Sequence, residues 1–252
     1  MPDRTAAGAR TIATDRIVPA INLGKCVDFA LVNSLVTFSS PVSMNPANLT
    51  QFSAAVWIYP KSVTHGYDAR IYASTGIGND GKGFDIIMRN GGNGEVEATV
   101  SHNVASAFAR YPRGLIKRSV WQRLLFTWDD ADNIPRIYLN GEEVTPSATQ
   151  NKSGVRVNWN GTTARIGNSG ALTRGIIALL DEFCVWNRIV TAQEIKDDYF
   201  KALVPTSGLI LRYQMDEASG NLVDASGNSI TGTPADVTQN VTSYSVPLRS
   251  SA

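Results

Sequence analysis

The segment from Phe126 to Asp198 constrains the fold of this chain more than any other. It begins with a tryptophan-bearing strand, a turn rich in Asp and Asn, and a strand that ends in Tyr-Leu-Asn-Gly. An Ile-Gly strand, a long apolar strand and one short helix follow. Short β-forming runs between Gly, Asn, Asp and Ser clusters are typical of a β-sandwich. A single helix among many strands argues against an α/β cofactor fold.

The alternation of β-forming runs with polar clusters extends back to Cys26. One helix is also predicted, from the residues that would cap its N-terminus. Thr191 and Glu194 have the spacing of a capping box, with Ile195 and Tyr199 on the apolar stripe and Pro205 closing the segment. The predicted strands are Phe52–Tyr59, Arg70–Ser74, Phe84–Arg89, Glu95–His102, Phe108–Tyr111, Val120–Trp128, Pro135–Leu139 and Glu142–Thr145.

Composition excludes several classes of function. The 252 residues are 43% hydrophobic, which is enough for a sizeable core in one large sandwich. Charged residues make up only 18% and the formal charge is +1, so we expect no strong electrostatic attraction to nucleic acid. No apolar stretch is long enough to span a membrane, so we expect no membrane insertion. Cys26 and Cys184 lie in apolar runs and are expected to be buried thiols. The first residues contain no apolar core of signal-peptide length, so we expect synthesis and retention in a cytosol-like compartment, or exit by lysis or another signal-free route.

The motifs FTWDDADNIPRIYLNG, ARIGNSG and GIIALLDEFCVWNRIVTAQEI resemble the laminin-G-like, concanavalin A-like jelly-roll family. The resemblance implies an all-β fold, a two-sheet antiparallel β-sandwich with one short helix, and a role in binding rather than catalysis. A motif that usually opens such domains, LILRYQMDEASGNLVDASGN, here follows the helix that usually closes them. Either a second, truncated domain begins at Gly208, or a single domain of residues 21–252 is circularly permuted, with residues 208–252 supplying its first strands. Permutation is favoured, because about 45 residues are too few for another sandwich.

The sequence gives little support for a catalytic site. A glycan hydrolase needs two carboxylates facing one bond, and a hydrolase of this fold is expected to carry Glu-x-Asp-x-x-Glu on one strand. Glu95 and Glu97 are the nearest approach, while the adjacent pairs Asp181–Glu182 and Glu142–Glu143 point to opposite faces of a strand. His65 and His102 have no triad pattern around them and are expected in loops or on the surface. We therefore predict that the chain is not an enzyme.

Calcium is the predicted cofactor, in a structural role. Asp224 and Asn228 lie in a compact oxygen-rich turn, and calcium prefers carboxylate, amide and carbonyl oxygens. The family resemblance implies that this turn, together with an acid at Asp181, can hold the ion. The alternative is an Asx turn whose polar atoms are satisfied by its own backbone.

Exposed aromatic side chains could form a platform for sugar rings. Trp159 lies in a turn-like stretch and is the predicted ligand-binding residue, with Tyr67, Tyr111 and Tyr213 as further candidates. The other four tryptophans, Trp57, Trp121, Trp128 and Trp186, lie in predicted strands and are expected in the core.

Residues 1–20 are polar and lack a steady period, which indicates an N-terminal arm or simply a frayed terminus. An arm before a binding fold supports a first hypothesis: a non-catalytic structural protein of a virus or phage particle, made in the host cytoplasm. Such a decoration, fibre or tail component would be located in the virion, would contact other particle subunits through the arm and would be oligomeric in the assembly. The second hypothesis is a lectin-like module that recognises cell-surface glycans.

Overall fold

A computed structural model describes residues 24–39, 49–74, 83–91, 93–156 and 163–243. The predicted arm and Trp159 lie outside these residues. The strands are β1 Lys25–Phe29, β2 Leu35–Ser39, β3 Gln51–Pro60, β4 Ala69–Ala73, β5 Phe84–Met88, β6 Val96–Val100, β7 Ala107–Arg110, β8 Gln122–Asp129, β9 Arg136–Leu139, β10 Glu142–Glu143, β11 Ala148–Gln150, β12 Thr163–Ile166, β13 Ala178–Trp186, β14 Leu209–Tyr213, β15 Gly232–Ala235 and β16 Thr238–Thr242, and the helix α1 is Ala192–Lys201.

The strands form two antiparallel sheets, which confirms the predicted sandwich. The first sheet has the order β10-β9-β8-β3-β13-β1-β16, and β14 pairs with the far half of β13. The second sheet has the order β11-β7-β6-β5-β4-β12-β2-β15. The register of β13 against β3 shifts between Asp181 and Cys184, so the central strand of the first sheet carries a bulge.

Aromatic rings from both sheets fill the space between them. Phe84 of the second sheet stacks on Phe126 of the first, with ring centroids 5.0 Å apart. Tyr72 continues the stack at 4.5 Å from Phe84, and Phe183 lies 5.6 Å beyond Tyr72. All four side chains are buried, and burial of each contributes roughly 1.5–3 kcal/mol to folding. This layer holds the two sheets together.

The segment that follows Gly208 adds strands to both sheets. β14 pairs with β13 and β16 with β1 in the first sheet, while β15 pairs with β2 in the second. Tyr213 is fully buried, donates its hydroxyl to the carbonyl of Ile230 at 2.9 Å and packs edge-on against Phe38. These residues share one core with β3, as the permuted arrangement requires. Permutation relative to the family order stays a prediction.

The helix α1 begins where the sequence places it. Thr191 accepts from the backbone N–H of Glu194, and the Glu194 carboxylate accepts from the backbone N–H of Thr191. This is the predicted capping box. Ala202 ends the helix in the left-handed region with φ of 52°. The residues that α1 buries are Ile195, Asp198 and Tyr199, so one face of the helix packs on the sandwich.

Several side chains are more buried than the sequence predicts. Tyr111 and Tyr213 are core residues and cannot serve as exposed sugar platforms, since each sits where strand alternation points inward. His65 and His102 are also buried, and burial lowers the pKa of both imidazoles. Cys26 and Cys184 are free, buried thiols, as predicted, and burial raises the pKa of each to about 12. Among the described residues, no helix is long and apolar enough to cross a membrane.

Candidate functional site

The outer side of the first sheet is apolar and lies under α1. We call it the covered face and define it by Trp57, Leu179, Cys184 and Trp186, which form two small clusters outside the main core. Tyr199 of α1 packs on Trp57 with ring centroids 5.7 Å apart. Burial of these side chains explains why the helix docks here.

A buried ion pair ties α1 to this face. Arg123 of β8 donates from Nε to Asp198 at 2.7 Å, and its Nη1 donates to the carbonyl of Glu182 at 2.6 Å. Both side chains of the pair are only 2% exposed. Burial acts to lower the pKa of Arg123, but the Asp198 carboxylate outweighs burial and holds that pKa above its usual value. The charges of Arg123 and Asp198 are therefore paired and hydrogen-bonded within the protein.

The outer side of the second sheet has the opposite character. Side chains that alternate with core residues such as Ala98 and Val100 point away from the core, and directly paired residues share one side. We call this side the polar face. Its residues, in two cross-strand rows, are Thr37, Arg165, Ala73, Asp85, Thr99 and Phe108, and then Arg70, Ile87, Glu97 and Arg110.

Ion pairs hold most charges of the polar face in place. Arg70 donates to Asp85 at 3.1 Å, and both side chains are buried. Arg110 donates from two nitrogens to one oxygen of Glu97, at 2.9 and 2.7 Å. The remaining ion pairs at this face join Arg89 to Asp68 and to Glu97, and join Arg110 and Arg113 to Glu95. Each of the four carboxylates in these ion pairs thus contacts at least one of the four arginines.

Arg165 is the exception to this matching. It lies in the middle of β12, paired with Thr37 on one side and Ala73 on the other. It is half-buried, and burial lowers the pKa of its guanidinium below the usual value. Its Nη1 is buried without a hydrogen-bond acceptor, and among the described residues no carboxylate forms an ion pair with it.

Phe108 gives the polar face an aromatic ring. It is half-buried on β7, and the Arg110 guanidinium lies 5.6 Å from its ring centroid. That distance allows a cation–π contact, which orients the ring. The face thus combines a partly accessible ring with hydroxyl, carboxylate and guanidinium groups, the set that hydrogen-bonds and stacks on sugars.

A small cleft lies beside the β8–β9 turn. Its volume is about 190 Å³, and Arg136 spans it between Asp132 at 3.5 Å and Glu143 at 3.2 Å. The buried Tyr111 is one of the residues that line it. Ligand pockets usually enclose about 300–1,000 Å³, so this cleft could take part of a sugar only.

The predicted calcium turn is satisfied by its own backbone. Asp224 accepts from the N–H groups of Arg212 and Ser226 through Oδ1, at 3.0 and 2.8 Å. Its Oδ2 accepts from Ile230 at 3.1 Å, and the Asn228 amide donates to the carbonyl of Ile210. These contacts fit the Asx-turn alternative better than a metal shell.

Asp181 lies elsewhere, at the bulge of β13 and opposite Trp57 on the covered face. Its Oδ1 accepts from the Glu182 N–H at 2.8 Å, while Oδ2 is buried without a partner. Burial, then the charges of Glu182 and Asp216, raise the pKa of Asp181 well above its usual value. Within the described ranges, no group of three or more His, Cys, Asp and Glu side chains is placed to hold a metal. Calcium binding by Asp224, Asn228 and Asp181 stays a prediction.

Sequence reasoning missed Arg165 and Phe108. The signal was present, since Ala-Arg-Ile and Ala-Phe-Ala place each side chain outward in a strand whose neighbours face inward. The predicted ligand residue, Trp159, lies beyond what the structure describes.

The family described as the concanavalin A-like lectin/glucanases superfamily matches residues 33–196. The chain belongs to this superfamily. No curated protein sequence matches the chain.

Three solved structures have a fold similar to that of this chain. A candidate carbohydrate-binding protein from Bacteroides ovatus is 18% identical with a TM-score of 0.64, over 91% of this chain and 63% of that protein. The heptameric SAP-like pentraxin from Limulus polyphemus is 16% identical with a TM-score of 0.54, over 88% and 98%. The Ruminococcus gnavus sialidase CBM40 bound to α2,3-sialyllactose is 13% identical with a TM-score of 0.51, over 71% and 96%. At these identities the likeness is one of fold.

Proposed function

We propose that this superfamily member is a non-catalytic carbohydrate-binding domain whose ligand lies on the polar face. The observation that most supports this proposal is the contrast between the outer faces of the two sheets. One is apolar and packed under α1, whereas the other carries guanidinium, carboxylate, hydroxyl and aromatic groups and is covered by none of the described helices or strands. One fold relative is a candidate carbohydrate-binding protein and another is bound to α2,3-sialyllactose, which supports a sugar as the ligand.

The ion pairs of the polar face prepare it for such a ligand. Planar charged groups hydrogen-bond sugar hydroxyls well, but long side chains lose rotamer freedom when they do so. Arg89 and Arg110, each about one-third exposed, are already fixed by their pairings with Glu97. The entropy of fixing them is lost during folding, so less is lost on binding.

The same pairings support a binding role over catalysis. Glu95 and Glu97, the nearest approach to a hydrolase motif, both pair with Arg110. Carboxylates that are held by an arginine are poorly placed to donate a proton to a glycosidic oxygen.

The hypothesis of a virus or phage particle component stays a prediction. It depends on the arm of residues 1–20, which the structure does not describe, and the comparisons support the lectin-like alternative instead. The same hypothesis underlies the predicted location in the virion, the contacts with particle subunits and the oligomeric assembly, so these stay predictions too. Co-purification of the full chain with a particle, lost when the arm is removed, would be its test.

The glycan proposal is tested by retention of the full chain on an array of immobilised neutral and acidic glycans. We expect binding to a subset of them, weakened about fivefold by Phe108→Ala, since one aromatic contact is worth roughly 1 kcal/mol. Phe200→Ala removes an equal ring from α1, on the covered face, and should change nothing. A folded chain that retains none of the glycans would contradict the proposal.

A further inference from the structure

We infer that the glycan binds through an uncharged sugar, which stacks on Phe108 and accepts hydrogen bonds from Gln150 and Arg110. This inference rests on the proposed function and adds to it the chemical class of the sugar and the residues that hold it.

The two halves of the polar face differ in how accessible they are. Toward β4 and β5 the outer residues are closely packed, since Ala73 is 0% and Asp85 only 5% exposed. Toward β11 the face opens to solvent, because Phe108 is half-buried and both Ala148 and Gln150 are exposed. β11 is the last strand of its sheet, so a ligand can reach Phe108 from above and from the sheet edge.

Phe108 lies between two uncharged polar side chains. Strand register pairs it with Thr99 of β6 on one side and with Gln150 of β11 on the other, so the three side chains share the outer side of the sheet. The Thr99 hydroxyl donates to Glu97 at 3.2 Å, which leaves its oxygen able to accept. The Gln150 amide offers two donor hydrogens and an acceptor oxygen, and no described residue hydrogen-bonds it.

Arg110 adds a hydrogen-bond donor to the same place. Its Nε and Nη2 donate to one oxygen of Glu97, at 2.9 and 2.7 Å, whereas Nη1 has no acceptor among the described residues. The side chain is 32% exposed, and its neighbour on β11 is the exposed Ala148, whose side chain is a single methyl group. The guanidinium lies 5.6 Å from the Phe108 ring centroid, so one sugar can contact both.

The charges around Phe108 favour an uncharged sugar. A carboxylate or sulfate on Arg110 would have to lie beside Glu97 or displace it, and like charges repel. A hydroxyl oxygen accepts from Nη1 without that repulsion. Ion pairs join three arginines of this region to three carboxylates, so their formal charges cancel: Arg89, Arg110 and Arg113 with Asp68, Glu95 and Glu97.

The shape of a sugar ring suits this arrangement of groups. One side of the ring carries C–H groups and is apolar, so it can cover the face of an aromatic side chain. The hydroxyls at its rim both donate and accept hydrogen bonds, as the Gln150 amide does. A sugar on Phe108 would therefore place its rim against Gln150 on one strand and Arg110 on the next.

Retention of the full chain on immobilised glycans in two matched forms tests the inference. One form is an oligosaccharide that contains a carboxylated sugar, and the other is the same oligosaccharide after its carboxyl group is reduced to an alcohol. We expect the uncharged form to bind at least as tightly as the carboxylated one. Raising the salt from about 50 to about 500 mM should change its binding by less than about twofold, because salt screens attraction between charges.

Two variants of Gln150 test the hydrogen bond. Gln150→Ala should weaken retention of the uncharged form about fivefold, through loss of roughly one net hydrogen bond. Gln150→Glu keeps the size but removes the donors, so it should weaken retention at least as much. Gln214→Ala is the matched control, since it removes an exposed amide that follows β14 in the first sheet, and it should change nothing. All three variants should melt like the parent chain, because the side chains are exposed.

The remaining outcomes separate the two claims. Tighter binding of the carboxylated form would overturn the uncharged sugar. Retention that is weakened by Phe108→Ala but unchanged by Gln150→Ala would overturn the assignment to Gln150. The glycan proposal would stand in both cases, whereas failure to retain any glycan would overturn both claims.

Discussion

The covered face and the polar face each contain a charged group with an unsatisfied buried atom, and the two groups differ in whether they can become neutral. On the covered face it is Asp181, which is fully buried and whose pKa is raised by burial. On the polar face it is Arg165, which is half-buried. A carboxyl group can take up a proton and become neutral, whereas a guanidinium stays charged. Asp181 can therefore be accommodated within the fold by taking up a proton, whereas Arg165 keeps its charge there.

The faces also differ in what their ion pairs accomplish. The pair of Arg123 and Asp198 joins α1 to β8 and has almost no contact with solvent. The pairs around Glu97 lie within a single sheet and leave their arginines about one-third exposed. The first ion pair holds α1 against the first sheet, whereas the pairs around Glu97 fix the conformations of side chains on the polar face.

The largest effect is expected at the covered face. Asp198→Ala leaves the Arg123 guanidinium buried without its carboxylate, and loss of one partner of a buried pair costs about 3–5 kcal/mol. Denaturant unfolding should show this fall in the free energy of unfolding. Glu97→Ala on the polar face should cost less, because Arg110 also pairs with Glu95 and reaches solvent. Equal losses would remove the distinction between the two faces.

A smaller effect, of opposite sign, is expected for Asp181→Asn. The folded state holds the proton of Asp181 more tightly than the unfolded state, so stability falls as pH rises from the unfolded value near 3.8. The variant should raise the free energy of unfolding by about 1–3 kcal/mol at pH 7. That gain should shrink toward zero as the pH is lowered to 3.8.

The same variant separates a buried acid from the predicted calcium site. A bound ion would stabilise the folded state, so a chelator would lower the melting temperature and Asp181→Asn would lower it as well. Asp224→Ala would then remove the chelator effect. A rise in stability for Asp181→Asn, without any chelator effect, would favour the self-satisfied turn.

The sequence predicted the elements better than the site, and particular residues explain why. Thr191 and Glu194 are three residues apart and form their cap locally, so the helix could be predicted. Trp57 and Trp186 are buried as expected, but under α1 rather than between the sheets. The alternation of apolar and polar side chains along a strand predicts which face is buried, but it does not predict which layer of the fold covers that face.

The site depends on relations that no short window of sequence contains. Arg70 and Asp85 are fifteen residues apart, and Arg110 and Glu97 thirteen, so their pairing follows from sheet register. That Arg165 lacks such a partner is evident only when the rows are assembled. The burial of Asp181 depends in the same way on the bulge in β13.

Hydrogen exchange in the presence of a glycan that the chain retains tests most directly the claim that the polar face binds the ligand and the covered face packs under α1. Peptides containing Val96–Val100 and Ala107–Arg110 should exchange more slowly when the glycan is bound, and those containing Ala192–Lys201 should be unchanged. Protection confined to α1 or to the β8–β9 turn, with β6 and β7 unaffected, would contradict the account.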